Sequence, residues 1–297
     1  MQLGAVPTME VHVIKPQGYC YGVVRAMKLA KQVGDATPGP VFGLGQMVHN
    51  RHMIDELAEH NVVTVDGPNR ARILEQIDGG TVIFTAHGVS PQVRELAARK
   101  GLRTVDATCP DVTRTHDLVQ RLAGEGYHIV YIGKHGHPEP EGAIGNAPEQ
   151  VHLVETMAEV EALELPPGKL AVTTQTTMSM WDTQDMVNRL QERFPEIEVH
   201  NEICSATQDR QTAAVEQAAL CDVVIVVGDE RSSNTNRLVD AVRDRAGKPA
   251  YRVDTVDDID PAWLRGVKKV GVTAGASTKT QITRAVIRYL EALPPAL

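Results

Sequence analysis

The chain has 297 residues, 42% of them hydrophobic but only 4% aromatic, and 30 Lys and Arg against 38 Asp and Glu give a net charge of −8. That length builds one large core or two to three smaller ones. The basic residues are scattered rather than striped, which argues against nucleic acid as a partner, and no apolar run approaches the roughly 20 residues of a membrane span. The opening M-Q-L-G-A-V-P-T-M-E lacks the basic and apolar regions of a signal peptide, so a cytoplasmic protein is expected. Four cysteines in such a chain are not a disulfide framework.

Taken in chain order, short β-branched runs alternate with longer amphipathic stretches. Val11–Lys15 reads as a strand and Gly22–Gly34 as a helix. Further strands are expected at Val82–Thr85, Tyr127–Ile132, Leu170–Thr174, Val223–Val227 and Val270–Thr273, with helices at Pro91–Lys100 and Ser179–Phe194. Ser90 before Pro91 supplies an N-cap and a first-turn proline, and Gly101 a stop. This alternation predicts an α/β fold with mainly parallel sheets.

The alternation is periodic. Four helix–strand pairs run from Cys20 to D-A-T-C at Cys109, and four more to N-E-I-C at Cys204, spacings of 89 and 95 residues. Gly43, Gly133 and Gly228 open polar loops after the first strand of each repeat. T-A-H-G-V-S (85–90), T-Q-T-T-M-S (174–179) and T-A-G-A-S-T (273–278) follow the third. Three units are expected, 22–109, 110–204 and 205–292, the last completed by the N-terminal segment 9–21. Parallel sheets bind ligands beyond the carboxyl ends of their strands. Units facing one another with those ends would gather one cysteine from each at a pseudo-threefold centre.

Cys221 opens the apolar strand C-D-V-V-I-V-V and reads as a core residue. Cys20, Cys109 and Cys204 share one phase of the repeat and read as ligands. Structural zinc usually shows C-x-x-C pairs and a fourth ligand, and here no two of these cysteines are near in sequence. An iron–sulfur cubane normally takes four cysteines, so three would leave one iron open to a substrate oxygen.

The polar loops carry neutral donors where helices begin: G-Q-M-V-H-N (45–50), G-K-H-G-H-P-E (133–139), G-D-E-R-S-S-N-T-N (228–236), His87, Thr176 with Thr177, and Ser277 with Thr278. Such donors suit a phosphate. His49, His87 and His137 lie at comparable strand ends, with His135 competing for the last place. The remaining histidines, His116 included, read as solvated or capping side chains. Glu139 follows closely in the same loop and could deliver a proton to a leaving hydroxyl.

Seven motifs carry a resemblance. G-Y-C-Y-G-V-V-R-A (18–26), F-T-A-H-G-V-S (84–90), D-A-T-C-P-D-V-T (106–113), G-H-P-E-P-E-G (136–142), T-Q-T-T-M-S (174–179), S-S-N-T-N-R-L (232–238) and V-T-A-G-A-S-T (272–278) resemble the LytB-type 4-hydroxy-3-methylbut-2-enyl diphosphate reductase family, from Val11 to about Leu293. The resemblance implies the last step of the non-mevalonate isoprenoid route, giving isopentenyl and dimethylallyl diphosphate. It implies one 4Fe–4S cluster per chain on Cys20, Cys109 and Cys204, with the substrate oxygen on the open iron. It places the diphosphate among His49, His87, Ser232, Ser233, Asn234 and Ser277, and His137, Thr176 and Glu139 around the hydroxyl, which selects His137 over His135. Flavodoxin or ferredoxin would supply the electrons.

Tyr21, Ser205, Asp209 and Lys279 depart from the family pattern and bear on packing, redox potential and the electron donor. A redox-neutral hydro-lyase with the same kind of cluster, or a non-catalytic phosphate- or zinc-binding protein, are the rival readings. Reductant dependence separates the first and colour the second.

Overall fold

The computed structural model describes residues 9–293; residues 1–8, most of the stretch read for a targeting signal, and the Pro-rich tail 294–297 lie outside the described residues. The chain begins with β1 (Glu10–Val13), α1 (Tyr21–Ala36), β2 (Val41–Leu44), α2 (His52–Ala58), β3 (Val62–Val65), α3 (Arg70–Glu75), β4 (Thr81–Phe84), α4 (Pro91–Arg99) and β5 (Arg103–Asp106). The alternation repeats as α5 (Pro110–Gly124), β6 (Tyr127–Ile132), α6 (Pro138–Ile144), β7 (Val151–Val154), α7 (Met157–Ala162), β8 (Lys169–Thr174), α8 (Met180–Arg193) and β9 (Glu198–Val199). It closes with α9 (Ser205–Ala218), β10 (Val223–Val227), α10 (Ser233–Asp244), β11 (Ala250–Val253), β12 (Lys269–Ala274) and α11 (Thr280–Ala292). Between β11 and β12, short 3₁₀ turns at Val256–Asp258 and Pro261–Leu264 replace the helix found there in the other repeats.

The strands form three four-stranded parallel sheets of one topology: β3-β2-β4-β5, β7-β6-β8-β9 and β11-β10-β12-β1. The N-terminal strand joins the third sheet as the parallel neighbour of β12, with Val11 opposite Val270. The described residues divide into two compact units. One runs up to Cys20 and resumes at Ser205, holding the sheet that contains β1; the other, Tyr21–Cys204, holds the remaining two sheets.

Both faces of the central strands are covered, which is why they read as unbroken apolar runs. In β10, Val224 and Val226 pack into one core cluster, whereas Val223, Ile225 and Val227 pack into another. β6 divides likewise, Val130 and Ile132 on one side and Ile129 and Tyr131 on the other. Helix starts follow the capping rules: the Ser90 hydroxyl accepts from the Val93 amide at 3.4 Å, with Pro91 as the first helical residue.

The repeat extends to single backbone bonds. The residue after each first strand donates its amide to the last residue of the second: Gly45 to Val65 at 2.8 Å, Gly133 to Val154 at 2.9 Å and Gly228 to Val253 at 2.8 Å. This corrects the expected loop start, because Gly43 lies inside β2 and Gly45 is the counterpart of Gly133 and Gly228. The cysteines show a second such bond. Their amides donate to the second residue beyond the third strand: Cys109 to Ala86 at 3.0 Å, Cys204 to Thr176 at 3.1 Å and Cys20 to Ala276 at 3.2 Å.

Candidate functional site

The two middle strands of each sheet diverge in chain order, and loops leaving their carboxyl ends are where such sheets bind ligands. The loop after β2 carries His49, the loop after β4 carries His87, and the loop after β6 ends at His137, the N-cap of α6. These three rings converge. Their centroids lie 4.3 Å (His49–His87), 4.9 Å (His49–His137) and 5.3 Å (His87–His137) apart. One ring nitrogen from each comes within 4.8 Å of the others, so the cluster is a potential three-ligand metal site. His135, its sequence competitor, points elsewhere: its ring pairs with Glu159 at 2.8 Å on the exposed surface.

Burial holds His87 and His137 well below the ordinary imidazole range, and the neighbouring rings and Arg70 add to that. Both are therefore neutral near pH 7. The His137 Nδ1 accepts the Glu139 amide at 3.1 Å. An amide can only donate, so the proton of a neutral His137 sits on Nε2, which becomes a donor. That tautomer suits an oxygen-rich ligand better than a cation.

Glu139 is the second residue of α6 and only 2% exposed. The Thr176 amide donates to its Oε1 at 2.7 Å and the Thr176 hydroxyl to its Oε2 at 3.0 Å. Burial outweighs both bonds and, with Asp111 adding to it, lifts the carboxyl to about 7. A carboxylic acid poised at neutrality is what a general acid requires. Because the Cys204 amide binds the Thr176 carbonyl, this cysteine lies directly beside the Glu139–Thr176 pair. Cys109 stands in the same relation to Ala86, the neighbour of His87.

In the other unit, the N-terminus of α10 gathers the expected anion donors. Ser232 caps the helix, its hydroxyl accepting from the Thr235 amide at 3.2 Å, and the Ser277 hydroxyl lies 3.4 Å from it. The Asn234 carbonyl oxygen accepts the Ala276 amide at 2.9 Å and its amide donates to Thr207 at 3.4 Å. Ser232, Ser233, Asn234 and Ser277 are all buried. Thr278 is otherwise engaged, its hydroxyl donating to the Val227 carbonyl at 2.9 Å.

The cysteines suit an iron–sulfur group. No disulfide joins them, and Cys20, Cys109 and Cys204 are partly exposed. Cys109 occupies an N-cap position yet makes no capping bond through its sulfur, so capping does not account for the residue. Cys221 is buried, donates weakly to the Gln217 carbonyl at 3.6 Å, and burial pushes its thiol up, as for a core residue.

Sequence reasoning passed over His116 and Arg70. Burial lowers His116 to about 4. Its ring fills the space left by two glycines: a Cβ at Gly88 would stand 2.9 Å from His116 Cε1, and one at Gly142 3.0 Å. A histidine seven residues beyond a cysteine, opposite one glycine next to His87 and another within α6, was the available signal. Tyr21, one of the departures, is 73% exposed.

The arrangement defines a triplicated parallel α/β protein in which a histidine cluster and a buried carboxylic acid share one unit, while a helix N-terminus with buried Ser and Asn side chains lies in the other. The family model described as LytB protein matches residues 11–291, and the chain belongs to that family. It is 56% identical over 290 residues to the 4-hydroxy-3-methylbut-2-enyl diphosphate reductase of Halalkalibacterium halodurans, covering 97% of this chain and 92% of that one. It is 57% identical over 286 residues to the enzyme of the same name from Symbiobacterium thermophilum, covering 95% and 97%. The solved E-1-hydroxy-2-methyl-but-2-enyl-4-diphosphate reductase of Plasmodium falciparum matches with a TM-score of 0.91 at 36% identity, covering 97% of this chain and 90% of that one.

Proposed function

We propose that the chain reduces 4-hydroxy-3-methylbut-2-enyl diphosphate to isopentenyl and dimethylallyl diphosphate, the last step of the non-mevalonate route. Its relatives carry the name of that reaction over nearly their whole length. The observation that carries the chemistry is Glu139: a buried acid, poised near pH 7 and clamped by Thr176 beside His137.

The reaction breaks a carbon–oxygen bond, takes up two electrons and two protons, and releases water. Glu139 delivers a proton to the departing hydroxyl, so that water leaves instead of hydroxide. Thr176 fixes the carboxyl through both of its oxygens and keeps it aimed. His137, as an Nε2–H donor, orients the hydroxyl end of the substrate. His49, His87, Ser232, Ser233, Asn234 and Ser277 are assigned to the diphosphate, whose negative charge suits neutral donors and a helix N-terminus.

A 4Fe–4S cluster on Cys20, Cys109 and Cys204 would supply single electrons and a Lewis-acidic iron without a protein ligand. The matching cysteine backbone bonds support an equivalent place for one cysteine in each of three proposed units, 22–109, 110–204 and 205–292 with 9–21, and the proposal assigns all three to one cluster. Flavodoxin or ferredoxin is the proposed electron donor. A cytoplasmic location is part of the same proposal; among the described residues no helix is long and apolar enough to cross a membrane.

The test is anaerobic turnover of the allylic substrate with reduced viologen, with products identified by mass. Formation of both isomeric diphosphates, dependent on reductant, is expected. Loss of water without electron uptake would instead establish a hydro-lyase.

A further inference from the structure

The three histidine loops share one hub that lies outside the set of assigned residues. Arg70, at the start of α3, is only 6% exposed. Its guanidinium lies against Gly45, at the root of the loop that carries His49, so closely that a Cβ there would overlap it. Gly45 has φ +82°, a backbone shape that also favours glycine. Arg70 Nη2 donates to the Thr85 hydroxyl at 3.2 Å, and that hydroxyl lies 3.4 Å from His87 Nδ1. The Arg70 amide donates to Glu141 Oε1 at 3.0 Å, on the helix that His137 caps and that carries Glu139. One side chain and its amide therefore touch the loops of His49 and His87 and the helix of His137.

The chemistry of the chain of bonds has a direction. A guanidinium only donates, so Thr85 accepts from it and has its own proton to give. His87 Nδ1 is the ring atom facing that hydroxyl. Once Nδ1 accepts, the proton of a neutral His87 belongs on Nε2, as it does on His137. The charge matters too. His87 and His137 are neutral, yet a diphosphate brings several negative charges. Arg70 keeps its proton at any ordinary pH and sits behind these rings. Glu141 and Asp66 offset part of its charge, and Lys134 adds to the positive field at His137.

We infer that Arg70 is the positioning residue of the diphosphate pocket: through Thr85 it sets His87 as an Nε2–H donor, and its buried charge balances the bound anion. This rests on the assignment of His49 and His87 to the diphosphate. Arg70 touches the leaving oxygen nowhere in this scheme, so its loss raises KM more than it lowers kcat.

The test measures binding of inorganic diphosphate to the anaerobically purified holoenzyme by calorimetry, for wild type, Arg70→Met, Arg70→Lys, Thr85→Val and His49→Ala. Arg70→Met is expected to weaken binding by about 10- to 100-fold, the loss typical of a charge-assisted contact. Arg70→Lys keeps the charge and should recover most of the affinity; Thr85→Val breaks the relay and should fall between them. Melting temperatures verify that each variant is folded. Wild-type affinity in folded Arg70→Met would overturn the inference. So would equal weakness in Arg70→Met and Arg70→Lys, which marks a purely structural arginine. If His49→Ala also binds diphosphate as wild type does, the pocket assignment itself falls, and this inference with it.

Discussion

Exchanging Glu139 for Gln keeps the shape of the side chain and an acceptor for the Thr176 amide, but removes the proton. In the native protein burial lifts the carboxyl from an ordinary 4.5 to about 7 against the pull of its two Thr176 bonds, and Asp111 adds to the rise. About half of the molecules then carry the proton at pH 7, roughly nine-tenths at pH 6 and roughly one-tenth at pH 8. A bond-breaking step that draws on this proton should run flat on the acid side and fall about tenfold per pH unit on the alkaline side. Glu139→Gln should slow that step by about 10²- to 10⁴-fold and abolish the inflection. The assay is single-turnover conversion of the substrate by enzyme reduced beforehand, which removes electron delivery from the measurement. A variant as fast as wild type across the profile, or one that keeps the inflection near neutrality, would refute the assignment and move the proton source to Thr176 or a bound water.

Asn234→Ala removes the bridge between the Ala276 amide and Thr207 and should weaken substrate binding by about 1.5–3 kcal/mol; an unchanged Kd by calorimetry would contradict it. His116 stands at about 4 in the folded protein against 6.5 when free, so native stability should be present above about 6.5 and lost as pH falls toward 4. The displacement is worth about 3 kcal/mol, and melting temperatures of His116→Gln should show a flatter acid limb. Glu139 has the opposite sign: its raised value adds stability that is present below about 4.5 and lost as pH rises through 7. Glu139→Gln should therefore gain relative to wild type between those values, and an unchanged difference in melting temperature would count against a buried, proton-holding Glu139.

Much of the fold was legible because buried parallel strands leave unbroken β-branched runs. Val223–Val227 and Tyr127–Ile132 appear with the expected bounds, and the N-terminal strand takes the expected edge of the third sheet. The convergence of His49, His87 and His137 was foreseeable from their shared position after central strands. Other features needed coordinates. Gly43 and Gly45 are both plausible loop openers, and only the bond from Gly45 to Val65 separates them. The family motif already favoured His137 over His135, but only the structure shows that the His135 ring is hydrogen-bonded to Glu159, distant in sequence. Arg70 begins a short helix, and nothing in the neighbouring sequence singles it out until its contacts with Gly45, Thr85 and Glu141 are seen. His116 escaped for the same reason: glycines distant in sequence make the space it fills.

The proposed enzyme holds a single cluster with one cysteine from each repeat. Iron and acid-labile sulfide per chain, measured on anaerobically purified wild type and the four Cys→Ser variants, test it most directly. About four irons and about four sulfides are expected in wild type and in Cys221→Ser, with large losses in Cys20→Ser, Cys109→Ser and Cys204→Ser. Full iron and sulfide in Cys109→Ser, or a loss confined to Cys221→Ser, would contradict it.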